Sequence, residues 1–137
     1  MVCTFFGHAN APKEIEPIIK STLIDLIENK DVTTFYVGNH GNFDYMVANV
    51  LQELSEIYSI KYYVVLAYMP KKNEISDSHT LLPESIEFVH PKYAISWRNK
   101  WMIDKSDYVV AYIRRNLGGA YNFTQSAIKN GKNIISI

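Results

Sequence analysis

The last thirty residues, YVVAYIRRNLGGAYNFTQSAIKNGKNIISI (residues 108–137), contain the pattern that decides the fold. Residues 108–113 form an almost continuously apolar run, which is typical of a strand buried on both faces. Residues 123–129 predict a helix, and residues 133–137 predict a second strand. A loop with two adjacent glycines, Gly118 and Gly119, joins the first strand to the helix. A strand, a helix and a strand in this order favour two parallel strands.

The same alternation of strands and helices continues toward the N-terminus. Further strands are predicted at residues 2–6, 33–37 and 61–68, and further helices from Ile15, from Asp44 or Tyr45, and over residues 92–105. The expected fold class is therefore α/β, with a doubly wound, mostly parallel, Rossmann-like sheet of five or slightly more strands. Helices are expected on both faces of that sheet.

Composition predicts one domain spanning residues 1–137. A chain of 137 residues with 47% hydrophobic side chains buries roughly two thirds of its unfolded surface. Fourteen basic and fourteen acidic side chains balance, so nucleic acid is an unlikely partner and no membrane partner is expected. No stretch reaches the ~18 apolar residues of a membrane span, and no signal peptide is evident. These features favour a cytoplasmic protein in which Cys3 is a buried hydrophobic residue.

One stretch interrupts the pattern. Residues 71–91 are polar, include Pro83, and predict a long loop with one short element near residues 86–89. Loops longer than ~12–15 residues in compact domains are often lids over a binding site. A lid is the functional hypothesis for this stretch.

Glycines and polar residues follow three of the predicted strands. Because the carboxyl ends of parallel strands share one edge of a sheet, we expect these loops to lie together and a ligand to bind in the crevice between them. The loop residues of interest are Gly7 and His8 after the first strand, Gly38, Asn39, Gly41 and Asp44 after the second, and Gly118, Gly119, Ala120, Tyr121 and Asn122 after the fourth.

Each loop also has a purely structural interpretation. Asp44 is expected to be a helix N-cap, and Asn122 with Gln125 has the spacing of a capping box. The glycines before these helices also let an anion approach free backbone amides at a positive helix end. Capping and anion binding are compatible, and the sequence leaves both open. Neither the dinucleotide glycine fingerprint nor a Walker-type sequence is present, which disfavours NAD and ATP sites of the usual kind.

The segment SWRNKWMIDKSD (residues 96–107) carries a second signal. Trp97 and Trp101 lie four residues apart on one helical face, and Arg98 precedes the strand whose loop contains the double glycine. The tryptophans are core residues or the interface of a homo-oligomer. Arg98 is either a solvated charge or, with Asn99, part of a pocket, since a guanidinium binds phosphate with two hydrogen bonds.

Four segments together resemble the SLOG superfamily, the Rossmann-like proteins related to DprA and the LOG proteins, and most closely its small bacterial YpsA-like (DUF1273-type) branch. The segments are FFGH (5–8), GNHGNFD (38–44), WRNKWMIDKSDYVVAYI (97–113) and GGAYNFTQSAIKNGKNIISI (118–137). The resemblance implies a nucleotide or nucleotide-derived ligand at the strand ends, with phosphate near Gly118 and Gly119. The pocket residues it implies are Gly7, His8, Gly38, Gly41, Asp44, Arg98, Asn99 and Gly118 to Asn122.

The chain departs from the LOG enzymes at one position. Gln125 stands where the motif of those phosphoribohydrolases has its catalytic Glu, and an amide does not ionise to act as a base. A sensor or ligand-binding module is therefore the first hypothesis, with a ligand such as an ADP-ribose derivative or a signalling nucleotide. The alternative is an enzyme acting on an N-glycosidic bond, a phosphoribohydrolase or a deoxyribosyltransferase, with Asp44, Asp104 or Asp107 in place of the Glu.

Other chemistry is not indicated by the sequence. His8, His40, His79 and His90 show no metal-ligand spacing, so no metal is expected, and no further cofactor is implied. The third hypothesis is a structural or partner-binding domain that associates through the helix bearing Trp97 and Trp101.

Overall fold

A computed structural model of the chain describes residues 1–69 and 79–137. The strands of the described residues are β1 (Val2–Gly7), β2 (Thr34–Val37), β3 (Lys61–Val65), β4 (Thr80–Leu81), β5 (Tyr108–Tyr112) and β6 (Asn133–Ser136). The α-helices are α1 (Glu16–Asn29), α2 (Asn42–Ser55), α3 (Ala94–Lys105) and α4 (Gly119–Lys129), and short 3-10 turns cover Lys13–Ile15, Ile86–Phe88 and Pro91–Tyr93.

The strands form one parallel sheet in the order β4-β3-β2-β1-β5-β6. The predicted α/β class and doubly wound parallel sheet are therefore confirmed. The chain enters β5 from the far edge of the sheet, so the direction of winding reverses between β1 and β5. In folds of this kind the crevice at the reversal is where ligands bind.

Two helices cover each face of the sheet. On β1, the side chains of Cys3 and Phe5 belong to the core under α1 and α2, whereas Phe6 belongs to the core under α3 and α4. This division follows from the alternation of side chains along a strand. Cys3 is fully buried, as expected, and burial raises the pKa of its thiol far above the usual value.

Several boundaries differ from the predictions. β3 ends at Val65 rather than at residue 68, and α4 begins at Gly119 rather than at Phe123. The stretch predicted as one long loop contains a strand that was not predicted, β4, because Thr80 and Leu81 pair with Val64 and Val65. This strand raises the number in the sheet from five to six. The short element predicted at residues 86–89 is confirmed as a 3-10 turn.

Two further predictions concern the lid and the absence of a membrane-spanning segment. Residues 70–78 lie outside the described residues, and residues 71–78 of these belong to the stretch 71–91 for which a lid was predicted. In residues 1–69 and 79–137, no helix is long and apolar enough to cross a membrane.

Candidate functional site

A small cavity lies at the carboxyl edge of the sheet where β1, the loop before α2, α3 and the first turn of α4 meet. We call it the edge cavity; its volume is about 140 Å³. Its wall brings together six of the residues singled out from the sequence: Gly7, Asp44, Arg98, Asn99, Gly119 and Ala120. Glycine-bearing loops from separate parts of the chain thus share one rim.

The remaining wall is mostly apolar and was missed by sequence reasoning. It consists of Phe5, Phe6, His40, Ile95, Met102 and Phe123. Phe6 and Phe123 stack with ring centroids 5.8 Å apart, which ties α4 to β1. Apolar walls around a few polar groups are typical of ligand sites, but an apolar side chain in a sequence does not distinguish a cavity wall from a core.

Arg98 is the dominant charge of the edge cavity. Although it is only 2% exposed, its Nε donates to Asn99 Oδ1 at 2.8 Å and its Nη1 donates to Asn39 Oδ1 at 3.0 Å and to the Val65 carbonyl at 2.9 Å. The Nη2 atom donates to no group among the described residues. Burial lowers the pKa of Arg98, yet an arginine keeps its charge in proteins. The interpretation of Arg98 as a solvated charge was wrong.

Within residues 1–69 and 79–137, the positive charge of Arg98 has no direct ionic partner. No carboxylate of the described residues lies within 4.0 Å of its nitrogens, and the salt bridge found in those parts of the chain joins Lys20 to Glu53. Buried charges are costly unless they are paired. A buried guanidinium held by neutral oxygens, with one nitrogen left over, is therefore suited to an anion from outside the chain.

Gly38 lies at the closest approach of Arg98 and Asp44. A Cβ at Gly38 would stand 2.8 Å from Asp44 Oδ2 and 3.2 Å from Arg98 Cζ and Nη1. Any larger residue would displace one of the two charged side chains. Burial raises the pKa of Asp44 to about 6, while the backbone N–H of His40 and the charge of Arg98 act in the opposite direction.

The start of α2 is closed by the protein itself. Its N-cap is Gly41, at φ 97°, and a Cβ there would lie 2.5 Å from Ala9 Cα. The Asn42 amide donates to the Ala9 carbonyl at 2.8 Å, and Asp44 Oδ2 accepts from the His40 amide at 3.1 Å. Asp44 therefore occupies the third helical position, and its prediction as the N-cap was wrong.

The start of α4 is open by comparison. Its N-cap is Gly118, at φ 92°, which makes no side-chain capping bond. Asn122 was predicted as the N-cap, and this prediction was wrong. Asn122 lies within the helix, since its amide donates to the Gly118 carbonyl at 3.0 Å. Apart from its chain neighbours and its own helix, no described residue would lie within 4 Å of a Cβ at Gly119. Neither backbone conformation nor packing against described residues explains a glycine at that position.

Seven predicted residues do not line the edge cavity: His8, Gly38, Asn39, Gly41, Gly118, Tyr121 and Asn122. His8 instead joins the ends of β1 and β5, because its Nε2 accepts from the Arg114 amide at 2.8 Å. Burial, followed by the nearby charges of Arg115 and Arg114, lowers the pKa of His8. Gly7 has a packing reason as well, since its Cβ would stand 2.2 Å from the ring of Phe43.

A wider depression of about 480 Å³ lies on the α2 side of the same edge. Three predicted residues, Gly38, Asn39 and Gly41, line it together with Tyr45, Ala48 and Val64, and Asp44 lines both this depression and the edge cavity. A third depression, of about 380 Å³, separates the first turns of α1 and α2 and includes no predicted residue. We place the candidate site at the edge cavity because the buried charges are there.

The other candidate residues lie away from the edge cavity. Gln125 is exposed on α4, and Asp107 Oδ2 accepts from the Val2 amide at 2.9 Å. Trp97, 44% exposed, lines a separate groove with Trp101, Lys100 and Asp104 on the outer side of α3.

In the two described ranges, no three His, Cys, Asp or Glu side chains are close enough to hold a metal ion.

Comparison with known proteins adds no relative: no family model matches the sequence, and no curated protein matches it.

Proposed function

We propose that this chain is a binding module for a nucleotide or nucleotide-derived small molecule, with the ligand's phosphate in the edge cavity. The observation that carries the proposal is the buried guanidinium of Arg98, which has no carboxylate within 4.0 Å among the described residues. It lines the same cavity as Gly119 and Ala120, whose amides belong to the first turn of α4 and have no intrahelical partner. The resemblance to the SLOG superfamily supports the same ligand class.

The sizes of the edge cavity and of the wider depression suggest which part of the ligand each would hold. The edge cavity, at about 140 Å³, is the smaller of the two spaces at this edge, and we assign the phosphate to it. The wider depression of about 480 Å³ falls within the ~300–1,000 Å³ typical of small-molecule sites. Sugar and base would occupy this depression, which begins at Asp44.

Calorimetric titration of the whole chain against a panel of nucleoside phosphates and inorganic phosphate tests the proposal. We expect at least one phosphate-bearing member to bind. Arg98→Met should weaken that binding about 10- to 100-fold, because a hydrogen bond to a charged group contributes ~1.5–3 kcal/mol. Lys100→Ala removes an exposed cation from the same helix and should leave the affinity unchanged.

Two results would contradict the proposal. One is the absence of binding to every member of the panel. The other is an affinity that stays the same in both Arg98→Met and Gly119→Val, provided that their thermal melting shows folded protein.

One observation favours an enzyme as the second candidate. Of the three aspartates considered in place of the missing Glu, only Asp44 lines the edge cavity, and its pKa of about 6 suits a general acid near neutral pH. Release of free base from nucleoside monophosphates, abolished in Asp44→Asn and retained in Asp104→Asn, would establish it. No release above the background hydrolysis of the substrate would rule this candidate out.

A further inference from the structure

The edge cavity combines donors for an anion with a carboxylate, and this combination is unexpected for a plain anion site. Arg98 and the first turn of α4 offer N–H donors. Asp44 stands opposite Arg98 across Gly38, and an ionised carboxylate only accepts hydrogen bonds. An oxyanion without a proton would therefore place its own negative oxygens beside those of Asp44.

Asp44 has an acceptor oxygen to spare. Its Oδ2 is occupied by the His40 amide at 3.1 Å, whereas Oδ1 accepts no hydrogen bond from the described residues. Because Asp44 and Arg98 are more than 4.0 Å apart at their charged atoms, they do not neutralise each other directly. A ligand between them meets a donor on one side and an acceptor on the other.

We propose that the edge cavity selects oxyanions that carry a proton, and that Asp44 is the specificity-determining residue. The inference rests on the proposed function and specifies its ligand: a phosphate whose protonated oxygen donates to Asp44 while its other oxygens accept from Arg98 and from the amides of Gly119 and Ala120. A fully deprotonated oxyanion of the same size lacks the donor and is rejected by charge repulsion.

Among the residues that the structure describes, few other titratable groups surround Asp44. Arg98 faces it from α3, and His40 faces it from the loop that leads into α2. The β1 and α4 parts of the wall contribute phenylalanine, glycine and alanine, without ionisable side chains. His8 is engaged with the Arg114 amide. With a pKa of about 6, Asp44 is mostly ionised at neutral pH and acts as an acceptor.

Phosphate and sulfate at pH 8 provide a matched pair of probes, because both are dianions of similar size and only phosphate retains a proton. We expect the wild-type chain to bind inorganic phosphate at least about tenfold more tightly than sulfate in calorimetric titrations, a difference of ~1.4 kcal/mol. In Asp44→Asn the ratio should fall to about threefold or less, because the amide both donates and accepts. Asp104→Asn, on the outer groove of α3, should keep the wild-type ratio.

The pH dependence of sulfate binding to the wild-type chain provides a second test, which does not require the Asp44→Asn variant to fold. Sulfate should bind more tightly as the pH falls from 8 to 5, since protonated Asp44 becomes a donor. Because His40 also lines the edge cavity, the titration is repeated with His40→Gln, which should retain the response.

Equal affinities for phosphate and sulfate in the wild type, or a ratio that survives in a folded Asp44→Asn, would overturn the inference and leave the proposed function standing. A lack of phosphate and nucleotide binding would overturn the proposed function as well. A nucleoside monophosphate has lost its last ionisable phosphate proton at pH 8, because its second pKa is about 6. Under this inference it should bind more tightly at pH 5.5 than at pH 8, and a pH-independent affinity would also overturn the inference.

Discussion

Two helices begin at the same edge of the sheet with the same backbone conformation, yet one N-terminus is closed and the other is open. The N-caps of α2 and α4 are Gly41 at φ 97°, ψ 177° and Gly118 at φ 92°, ψ 177°, and neither makes a side-chain capping bond. The third helical residue is Asp44 in α2 and Tyr121 in α4. The first turn of α2 therefore carries its own negative charge, and that of α4 carries none.

The packing around the two N-caps also differs: Gly41 is in close contact with another loop, and Gly118 is not. Gly41 packs against Ala9, whose carbonyl accepts from the Asn42 amide, whereas no described residue beyond the local backbone lies within 4 Å of a Cβ at Gly118 or Gly119. Free amides at a helix start require partners from somewhere. At α2 the protein supplies a partner for the first amide, that of Asn42. At α4 we infer that a ligand supplies the partners, next to the charge of Arg98.

The largest expected effect is at the closed cap. Gly41→Ala should lower the free energy of unfolding by about 4 kcal/mol, because the φ and ψ of Gly41 cost other residues ~1–3 kcal/mol and the added methyl overlaps Ala9 at a further ~1–3 kcal/mol. Urea denaturation followed by circular dichroism measures the loss. A loss below about 1 kcal/mol would contradict the tight contact between the two loops.

The open cap should tolerate the same substitution better. Gly118→Ala carries the conformational cost of ~1–3 kcal/mol without the overlap, so we expect a loss of about 2 kcal/mol in the same assay. The difference between the two variants isolates the contact with Ala9. Equal losses would mean that the two caps do not differ in packing.

Asp44, in the first turn of α2, should make the free energy of unfolding depend on pH. Because the pKa of Asp44 rises from 3.8 to about 6 on folding, folding disfavours its ionised form, and the wild type should lose stability relative to Asp44→Asn as the pH rises from about 4 to about 7. We expect a relative loss of about 1–2 kcal/mol, less than the full shift implies at ~1.4 kcal/mol per pH unit, since Asp44 is only half-buried. Urea denaturation of both proteins at pH 4, 5.5 and 7.5 measures it, and a constant difference would contradict the raised pKa.

The smallest effect on stability is expected at Gly119. Gly119→Ala adds a methyl where the chain offers open space, and replacing glycine at a compatible helical position typically stabilises by about 0.4–1 kcal/mol. The same methyl should obstruct a phosphate at the first turn of α4. Thermal melting together with phosphate titration tests both effects; unchanged phosphate affinity would argue against close approach of the anion to Gly119.

Much of this architecture follows from sequence pattern, because buried parallel strands and amphipathic helices impose visible periods. The common edge of the glycine-bearing loops followed from parallel strands alone. The starts of α2 and α4 did not follow, since capping preferences favour Asp44 and Asn122 over glycines that cap without a side chain. The wall contributed by His40, Ile95 and Phe123 and the pairing of β4 arise from tertiary contacts, which local patterns do not encode.

The central claim is that the open N-terminus of α4 binds a phosphate group beside Arg98, and amide chemical shifts report on it directly. A titration of the ¹⁵N-labelled chain with inorganic phosphate should shift the amide signals of Gly119 and Ala120 and the side-chain signal of Arg98, while those of Asn42 and Phe43 at the closed helix change little. Saturable shifts confined to the start of α2, or no saturable shift at Gly119 and Ala120, would contradict the claim.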